Sequence, residues 1–362
     1  MRQLGVDVLL LSHGADLPWL TGYRAMPLER LTLLVLPVDG EPELIVPALE
    51  APRVPDPTGA FLLRPWTEDE NPISIACTRI KAARTTRACD TLAISDRAWS
   101  TTLLALQSAL PDLHWLPASR VTGALRAVKD QSEIAALQAA AQAADHVAAA
   151  LQGGEIRLAG RSEAAVSVEI TARLLEQGHD AVNFAIVGSG PNAASPHHEP
   201  SQRLIGSGET VVCDFGGALS LGGDVGYCSD ITRTLMTGPP DAEIADAYEV
   251  LRVAHDAAVV AVSDGVPAES VDQAARRVIT DAGLGEYFIH RTGHGIGIEE
   301  HEDPYIVTGN DNPLVVGNVF SIEPGIYMPG RFGMRLEDIV LLTQDGPELL
   351  NNADRSLFIV DT

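Results

Sequence analysis

Five short stretches in the second half of the chain decide its fold: VVCDFG (211–216), GYCSDITRT (226–234), TGHGIGIEEHEDP (292–304), SIEPGIY (321–327) and MRLED (334–338). Each combines a β-like run or a glycine-rich turn with a candidate side chain that can bind a metal without thiol chemistry. These side chains are Asp214, Asp230, His294, Glu323 and Glu337. Side chains alternate along a strand. The first and fourth stretches carry their acid at the strand end, whereas the second and fifth carry Asp230 and Glu337 within the strand. We therefore expect a rigid sheet to direct four carboxylates into one space.

The four carboxylates predict a metal centre rather than a cluster of bare acids. Like charges a few ångströms apart raise each other's pKa strongly, and divalent cations relieve that repulsion. One imidazole and four carboxylates form an oxygen-rich ligand set, which is enough for two divalent ions if some carboxylates bridge. The sequence has neither the thiolate pattern of a structural zinc site nor the loop of an EF-hand.

Other interpretations of these residues have weaker support. Taken singly, each acid fits an ordinary surface or strand-end residue, but their occurrence together with His197, His290, His301 and Arg335 favours a functional site. The stretch GHGIG lacks the full G-x-G-x-x-G spacing of a dinucleotide-binding turn. No serine stands in a G-x-S-x-G elbow, so a nucleophilic triad is not indicated. For His198 we expect a solvated position in a loop.

Two domains are predicted, residues 1–125 and 126–362. The first is expected to be a small α/β unit in which LTLLVLP and ELIVPAL flank the turn Asp39-Gly40 and pair as a hairpin. After the boundary, Asp130 and Glu133 form a D-x-x-E capping box. This box predicts a long amphipathic helix at the start of the second domain.

The second domain contains a weak internal repeat. The stretch ITARLLEQGHDAVNFAIVGSG followed by GETVVCDFG is echoed by ARRVITDAGLGEYFIHRTGHG followed by VGNVFSIEPG. Each copy reads as a helix, a glycine turn, a strand, a glycine-rich loop and a strand that ends in an acid. Two halves related by a pseudo-twofold axis would bring Asp214 and Glu323 to equivalent places in one central cleft.

Charge and cysteine content limit the partners and the compartment. With 25 Lys and Arg against 49 Asp and Glu, the formal net charge is −24, so neither nucleic acid nor an anionic membrane is expected as a partner. The apolar run near the N-terminus is too short for a signal sequence or a membrane span. The four cysteines form no CxxC pair, which predicts reduced thiols and a cytoplasmic protein. They are Cys77, Cys89, Cys213 and Cys228.

At the five stretches the sequence resembles the pita-bread metallopeptidases, the family of methionine aminopeptidase, aminopeptidase P and prolidase. The resemblance runs from about Val128 to the end of the chain, with the motifs in family order. Residues 1–125 resemble the N-terminal domain of the proline-specific branch and of creatinase. The resemblance therefore implies an α/β protein with a creatinase-like N-terminal domain, a pita-bread catalytic domain with a pseudo-twofold repeat, and Xaa-Pro peptides as substrates.

The resemblance also implies roles for individual residues. Asp214 would bind one metal ion, His294 and Glu323 would bind the other, and Asp230 and Glu337 would bridge both. The mostly carboxylate ligands favour two Mn²⁺ ions per subunit, with Co²⁺ or Zn²⁺ as alternatives. Creatinase keeps the fold but lacks these ligands, so their retention argues against creatinase. The other matches are substrate-contacting, proton-handling or supporting groups: His197, His290, His301, Tyr327 and Arg335.

Chemical roles follow for two of these residues. Glu323 is expected to take the proton of the attacking water and to pass it toward the proline nitrogen. His301 is expected to stabilise the developing oxyanion.

Two departures from the family pattern bear on the substrate. Asp230 follows Asp214 by sixteen positions, whereas the family usually has eleven, so we expect a longer hairpin at the cleft rim. Tyr305 follows HEDP at a position where prolidases often carry an arginine that grips the dipeptide carboxylate. The longer rim favours an Xaa-Pro dipeptidase, or prolidase. The alternatives are an aminopeptidase P acting on longer peptides and, more remotely, a metal-free binding module. Family analogy also predicts a homodimer.

Overall fold

The computed structural model describes residues 1–55, 59–86, 90–222 and 225–360, which group into two compact units. The first unit comprises Met1–Arg126 with Gly222–Val225, and the second comprises Ala127–Leu221 with Gly226–Thr362. Cys89 lies outside the described residues, and the other three cysteines are buried and free. None of the helices within the described ranges combines the length and the apolar content needed to cross a bilayer.

The first unit is built on a mixed six-stranded sheet. Its elements are β1 (Val8–Leu11), α1 (Asp16–Thr21), β2 (Leu33–Pro37), β3 (Glu43–Pro47), β4 (Leu62–Trp66), α2 (Pro72–Thr86), β5 (Thr91–Ile94), α3 (Ser100–Ala109), β6 (His114–Pro117) and α4 (Ser119–Ala127). The strand order is β4-β3-β2-β1-β5-β6. The predicted hairpin is confirmed, since β2 and β3 pair antiparallel with Leu33 opposite Ile45.

Both faces of this sheet are buried, which explains why its strands read as continuous apolar runs. In β1, Val8 and Leu10 pack into a core that includes residues of α2 and α3. The alternate residues Leu9 and Leu11 pack into a second core that includes residues of α1 and α4. A sheet covered on both faces needs apolar side chains at every position of its central strands.

The second unit contains four long helices: α5 (Gln131–Gln152), α6 (Glu163–Glu176), α7 (Ala242–Ala261) and α8 (Ala268–Asp281). The predicted capping box is confirmed at the start of α5. The Asp130 side chain accepts from the backbone N–H of Glu133, and the Glu133 side chain accepts from the N–H of Asp130. Such reciprocal caps satisfy N–H groups that a helix end otherwise leaves unpaired.

Two five-stranded sheets form the centre of the second unit. The strands are β7 (Ala181–Ser189), β8 (Thr210–Leu219), β9 (Tyr227–Cys228), β10 (Ile231–Met236), β11 (Gly293–Gly295), β12 (Glu302–Ile306), β13 (Val319–Ile322), β14 (Gly325–Met328), β15 (Phe332–Arg335), β16 (Asp338–Thr343), β17 (Gly346–Leu349) and β18 (Phe358–Ile359). The first sheet has the order β18-β10-β8-β7 with β9 paired to β8, the second has the order β12-β11-β13-β16-β17, and β14 and β15 form a separate ribbon.

The two halves of this unit repeat one arrangement, a pair of helices packed on a five-stranded sheet. Helices α5 and α6 share a core with β8 and β10, which contains Leu151, Ile170 and Phe215. Helices α7 and α8 share a second core with β13 and β16, which contains Leu251 and Ile279. The α/β class and the repeat inferred from the sequence are thus confirmed, and β8 and β13 occupy inner positions in their sheets.

Candidate metal centre

A cavity of about 490 Å³ in the second unit is lined by nine of the ten predicted site residues. Tyr327, the tenth, is buried and does not line the cavity, and its hydroxyl is hydrogen-bonded to His290 and Arg335. The apolar part of the lining comes from Phe184, Ile186 and Pro196. The structure therefore brings together residues separated by more than a hundred positions of sequence.

Asp214 does not end its strand as the sequence suggested, because β8 continues to Leu219 and pairs Asp214 with Thr232 of β10. The two glycines that follow permit close approach by neighbouring strands rather than a turn. A Cβ atom at Gly216 would lie 2.1 Å from the carbonyl oxygen of Ser229, and one at Gly217 would lie 2.3 Å from a neighbouring carbonyl oxygen. The expectation of a strand end was therefore wrong, and Asp214 projects from the middle of a central strand.

Three other acids lie in interruptions between strands. Asp230 stands between β9 and β10, Glu323 follows β13, and Glu337 stands between β15 and β16. For Asp230 and Glu337 we had expected positions within continuous strands, and that expectation was also wrong. Glu337 is nevertheless held in place, because its N–H donates to the carbonyl oxygen of Thr232 at 3.2 Å. Its Oε2 accepts from the Thr232 hydroxyl at 2.7 Å.

The ligand atoms of Asp230, His294 and Glu337 all lie within 4.8 Å of one another. Nε2 of His294 is 3.2 Å from Oε1 of Glu323 and 3.8 Å from Oδ2 of Asp230. Asp214 lines the same cavity, and Arg335 contacts its Oδ2. One imidazole nitrogen and four carboxylates thus face one small volume.

Two carboxylate oxygens in this group are buried without a hydrogen-bond donor among the described residues, Oδ1 of Asp214 and Oε1 of Glu337. Asp214 is 8% exposed and Glu337 is 1% exposed, so little of either residue can form hydrogen bonds with solvent water. A buried charged oxygen without a partner is costly. Both oxygens are of the hard type that divalent cations prefer, so the residues fit a metal centre.

Burial and mutual repulsion act strongly on these acids. Burial, followed by the charges of Glu337, Asp214 and Glu323, raises the pKa of Asp230 well above its usual range. Burial and the charges of Glu323 and Asp214 also raise the pKa of Glu337 well above its usual range. Burial opposes ionisation of Glu323 too, but the hydrogen bond and charge of His294 lower its pKa to about 2. Four ionised carboxylates at this spacing require added positive charge.

A chain of hydrogen bonds orders the protons around His290. An Nη1–H of Arg335 donates to the Tyr327 oxygen at 2.8 Å, and the Tyr327 hydroxyl lies 2.9 Å from Nε2 of His290. Nδ1 of His290 lies 2.7 Å from the carbonyl oxygen of Arg291 and therefore carries the proton. Burial lowers the pKa of His290, which keeps the ring neutral. Both ring nitrogens are thus engaged within the protein.

His301 lines the cavity beside the metal-ligand candidates. Its ring centroid is 3.9 Å from that of His294. Burial and the neighbouring charges of His294 and Arg291 lower the pKa of His301 to about 4. Arg291 can only donate, and its Nη2 lies 3.5 Å from Nδ1 of His301, so Nε2 is the nitrogen that carries the proton. A neutral imidazole with its N–H on Nε2 can donate to a substrate oxygen.

Sequence reasoning missed Glu163, the carboxylate that holds the segment carrying His197. Glu163 is fully buried at the start of α6. It accepts from the N–H and hydroxyl of Ser189, from Asn192, and from the N–H and hydroxyl of Ser201. His198 lies 2.8 Å from its Oε2 and is not the solvated loop residue expected from the sequence. No local spacing links these positions, so the sequence carries no signal for them.

A second missed carboxylate, Asp272 of α8, supports the segment that carries His290 and His294. It accepts from the N–H and hydroxyl of Thr292 at 3.1 and 2.8 Å. Arg276 donates both to Asp272 and to the carbonyl oxygen of His290. Glu302, which follows His301 in the sequence, forms a buried ion pair with Lys129, in which Nζ lies 2.8 Å from Oε1. This ion pair holds the segment that carries His301. The residues joined by these contacts lie between 4 and 173 positions apart in the sequence.

Comparison with known proteins assigns the chain to a class. Residues 135–344 match Metallopeptidase family M24, and residues 1–128 match the Creatinase/Prolidase N-terminal domain. The chain belongs to metallopeptidase family M24 and is a metallopeptidase of its proline-specific pita-bread branch. The family resemblance and the fold class inferred from the sequence are confirmed.

Individual relatives are similar along almost the whole chain. The chain is 44% identical over 359 residues to the probable dipeptidase PepE of Mycobacterium tuberculosis, covering 98% of this chain and 92% of that protein. It is 36% identical to the Xaa-Pro dipeptidase of Lactobacillus delbrueckii subsp. lactis, covering 99% and 96%. The crystal structure of a prolidase from Thermococcus sibiricus superposes with a TM-score of 0.90 at 40% identity, covering 99% and 95%.

Proposed function

We propose that this metallopeptidase hydrolyses the Xaa-Pro bond of dipeptides with the help of two divalent cations. The observation that carries the proposal is the buried group of four carboxylates and one imidazole facing one cavity, with two oxygens that have no donor among the described residues. Relatives named Xaa-Pro dipeptidase and prolidase, similar over nearly the full chain, support the substrate class.

In this proposal the five ligands divide between two ions. Asp214 would hold one ion, His294 and Glu323 would hold the other, and Asp230 and Glu337 would be available to both. We propose Mn²⁺ because four of the five ligands are carboxylates, and Co²⁺ or Zn²⁺ would suit the same set. When bound, such a pair lowers the pKa of a water molecule and polarises the scissile carbonyl group.

Glu323 is the proposed proton carrier. Its Oε1 is engaged by the Ser321 hydroxyl at 3.2 Å and by Nε2 of His294 at 3.2 Å. Its Oε2 is therefore the oxygen that we assign to the proton released when water attacks the carbonyl carbon. The same oxygen returns that proton to the proline nitrogen as the C–N bond breaks.

His301 and the apolar wall are assigned to the substrate. The N–H on Nε2 of His301 donates to the carbonyl oxygen as negative charge develops there. An Xaa-Pro bond is a tertiary amide without an N–H, so the site needs no acceptor for that group but needs room for the pyrrolidine ring. Phe184, Ile186 and Pro196 offer the apolar surface for that ring. We assign His197, which lines the same cavity, to substrate binding.

Hydrolysis of Ala-Pro and of Ala-Pro-Ala by the purified protein tests the proposal. We expect faster turnover of the dipeptide, loss of turnover after treatment with a chelator, and recovery when Mn²⁺ is added. Unchanged Ala-Pro hydrolysis after complete metal removal would contradict the metal assignment. Faster turnover of Ala-Pro-Ala would favour the second candidate, an Xaa-Pro aminopeptidase. Tyr305 supports that candidate, since it stands where prolidases often have a carboxylate-binding arginine.

Compartment and assembly complete the proposal. We propose a cytoplasmic protein, since the three described cysteines are free thiols. We also propose a homodimer on family analogy. A chain of 38.4 kDa would then elute near twice that mass, and a monomeric elution volume would refute the dimer.

A further inference from the structure

The cavity is strongly acidic, and only two of its described lining residues carry a permanent positive charge. Five carboxylates line it, and the two cations are Arg291 and Arg335. A dipeptide brings a C-terminal carboxylate into this space, beyond the bond that is cleaved. The two proposed cations would offset the four ligand carboxylates, but Glu300 adds a fifth carboxylate, and a substrate carboxylate in this partly buried site is stabilised by a cation of its own.

The guanidinium group of Arg335 already forms contacts within the protein. It is 2% exposed and contacts the carboxylate of Asp214. It also donates to the Tyr327 oxygen at 2.8 Å, to the Thr232 hydroxyl at 3.1 Å and to the carbonyl oxygen of Pro196 at 3.2 Å. All three guanidinium nitrogens are therefore engaged, and the charge of Arg335 is balanced within the metal-ligand group.

Arg291 is held in a different way. Its guanidinium carbon lies 4.6 Å from the centroid of the Tyr305 ring, and its Nη2 is 3.5 Å from Nδ1 of His301. It forms no ion pair with a carboxylate of the residues that the structure describes. Stacking on an aromatic ring fixes the orientation of a guanidinium without neutralising its charge. Arg291 is thus an oriented, half-buried cation on the wall of an acidic cavity.

We propose that Arg291 binds the C-terminal carboxylate of the Xaa-Pro substrate and so selects dipeptides over peptides that continue beyond proline. The inference rests on the proposed function and names the group that sets its substrate length. The planar guanidinium can donate two parallel hydrogen bonds to a carboxylate. A longer or amidated peptide presents a neutral amide at this point and loses the ionic contact.

Steady-state kinetics with Ala-Pro and Ala-Pro-amide test the inference, because the two substrates differ only in the terminal charge. We expect the wild-type protein to prefer Ala-Pro. The variant Arg291→Gln should lose about 10- to 100-fold more in kcat/KM for Ala-Pro than for the amide, mainly through KM. Arg291→Lys should restore part of the preference, since it keeps the charge but not the paired donors.

Arg331→Gln is the matched control. Arg331 also lies over an aromatic ring, 5.5 Å from the centroid of Phe332, and pairs with Glu243 outside the cavity. The substitution removes the same unit of positive charge, so we expect the preference for Ala-Pro to persist.

The outcomes separate the two proposals. If the wild-type protein cleaves neither substrate, the proposed function fails and the role of Arg291 falls with it. If the wild-type protein cleaves them but Arg291→Gln leaves the ratio of the two kcat/KM values unchanged, the role of Arg291 is refuted while the proposed function stands.

Discussion

At the scale of single residues, the charge of each acidic side chain in the site depends on the charges of its neighbours. Asp230 and Glu337 are buried beside other acids, and the same burial and repulsion raise the pKa of each. His301 and His290 are kept neutral by burial. The acids of the cavity therefore need added cations. Its neutral imidazoles can donate or accept a hydrogen bond without adding charge.

Replacement of Glu337 tests the ligand assignment. We expect Glu337→Ala to reduce kcat/KM for Ala-Pro by at least about 100-fold and to reduce bound metal, because a carboxylate proposed to bind the metals would be lost. Metal content by mass spectrometry and activity are measured on the same sample. Glu348→Ala, which removes an exposed acid on β17, should change neither. Wild-type activity and metal content in Glu337→Ala would refute the assignment.

Replacement of His301 should separate chemistry from metal binding. His301→Ala removes the proposed donor to the oxyanion, so we expect kcat to fall by about 100- to 1,000-fold while bound metal stays constant. The control His146→Ala removes an exposed imidazole of α5 and should leave kcat unchanged. A loss of metal with preserved kcat per bound metal would show that His301 acts on the metals instead.

At the scale of elements, the sequence predicted what local rules decide. The hairpin of β2 and β3 and the capping box of α5 follow from turn residues and from a spacing of three positions. The placement of Asp214 within β8 did not follow, because it depends on Ser229 and Ala181 approaching two glycines. Glu163 and Asp272 were also missed, since each acts on loops that only the folded chain brings to it.

Glu163 gives a prediction at this scale. Although burial opposes ionisation, hydrogen bonds from Ser201, Ser189 and His198 lower the pKa of Glu163 to about 2. The folded-state pKa lies below the unfolded value, so the ionised carboxylate stabilises the protein above about pH 4.5, and this contribution is lost as the pH falls toward 2. The shift corresponds to on the order of 3 kcal/mol.

Urea unfolding of Glu163→Gln at pH 7 and pH 3 measures this contribution. We expect the variant to be less stable than the wild-type protein at pH 7 and the difference to shrink at pH 3. Glu169→Gln removes a partly exposed acid from the same helix, where it pairs with Arg161, and should have a small effect at both values. An equal deficit of Glu163→Gln at both pH values would contradict the account.

At the scale of the whole molecule, the internal repeat produces the site. One sheet contributes Asp214 from β8, and Asp230 precedes β10 of the same sheet. The second sheet contributes His294 from β11, with Glu323 and Glu337 at the ends of two of its strands. Neither half holds the complete set of ligands, so both must fold before the cavity exists.

Titration of the chelator-treated, dialysed protein with MnCl₂ tests the central claim most directly. Calorimetry gives the number of ions bound, and thermal unfolding in the same buffers gives the accompanying change in stability. The account predicts uptake of two Mn²⁺ ions per chain and a Tm that rises with their concentration, because the ions bind the folded state. A protein that takes up no Mn²⁺, Co²⁺ or Zn²⁺ and yet hydrolyses Ala-Pro at full rate would contradict it.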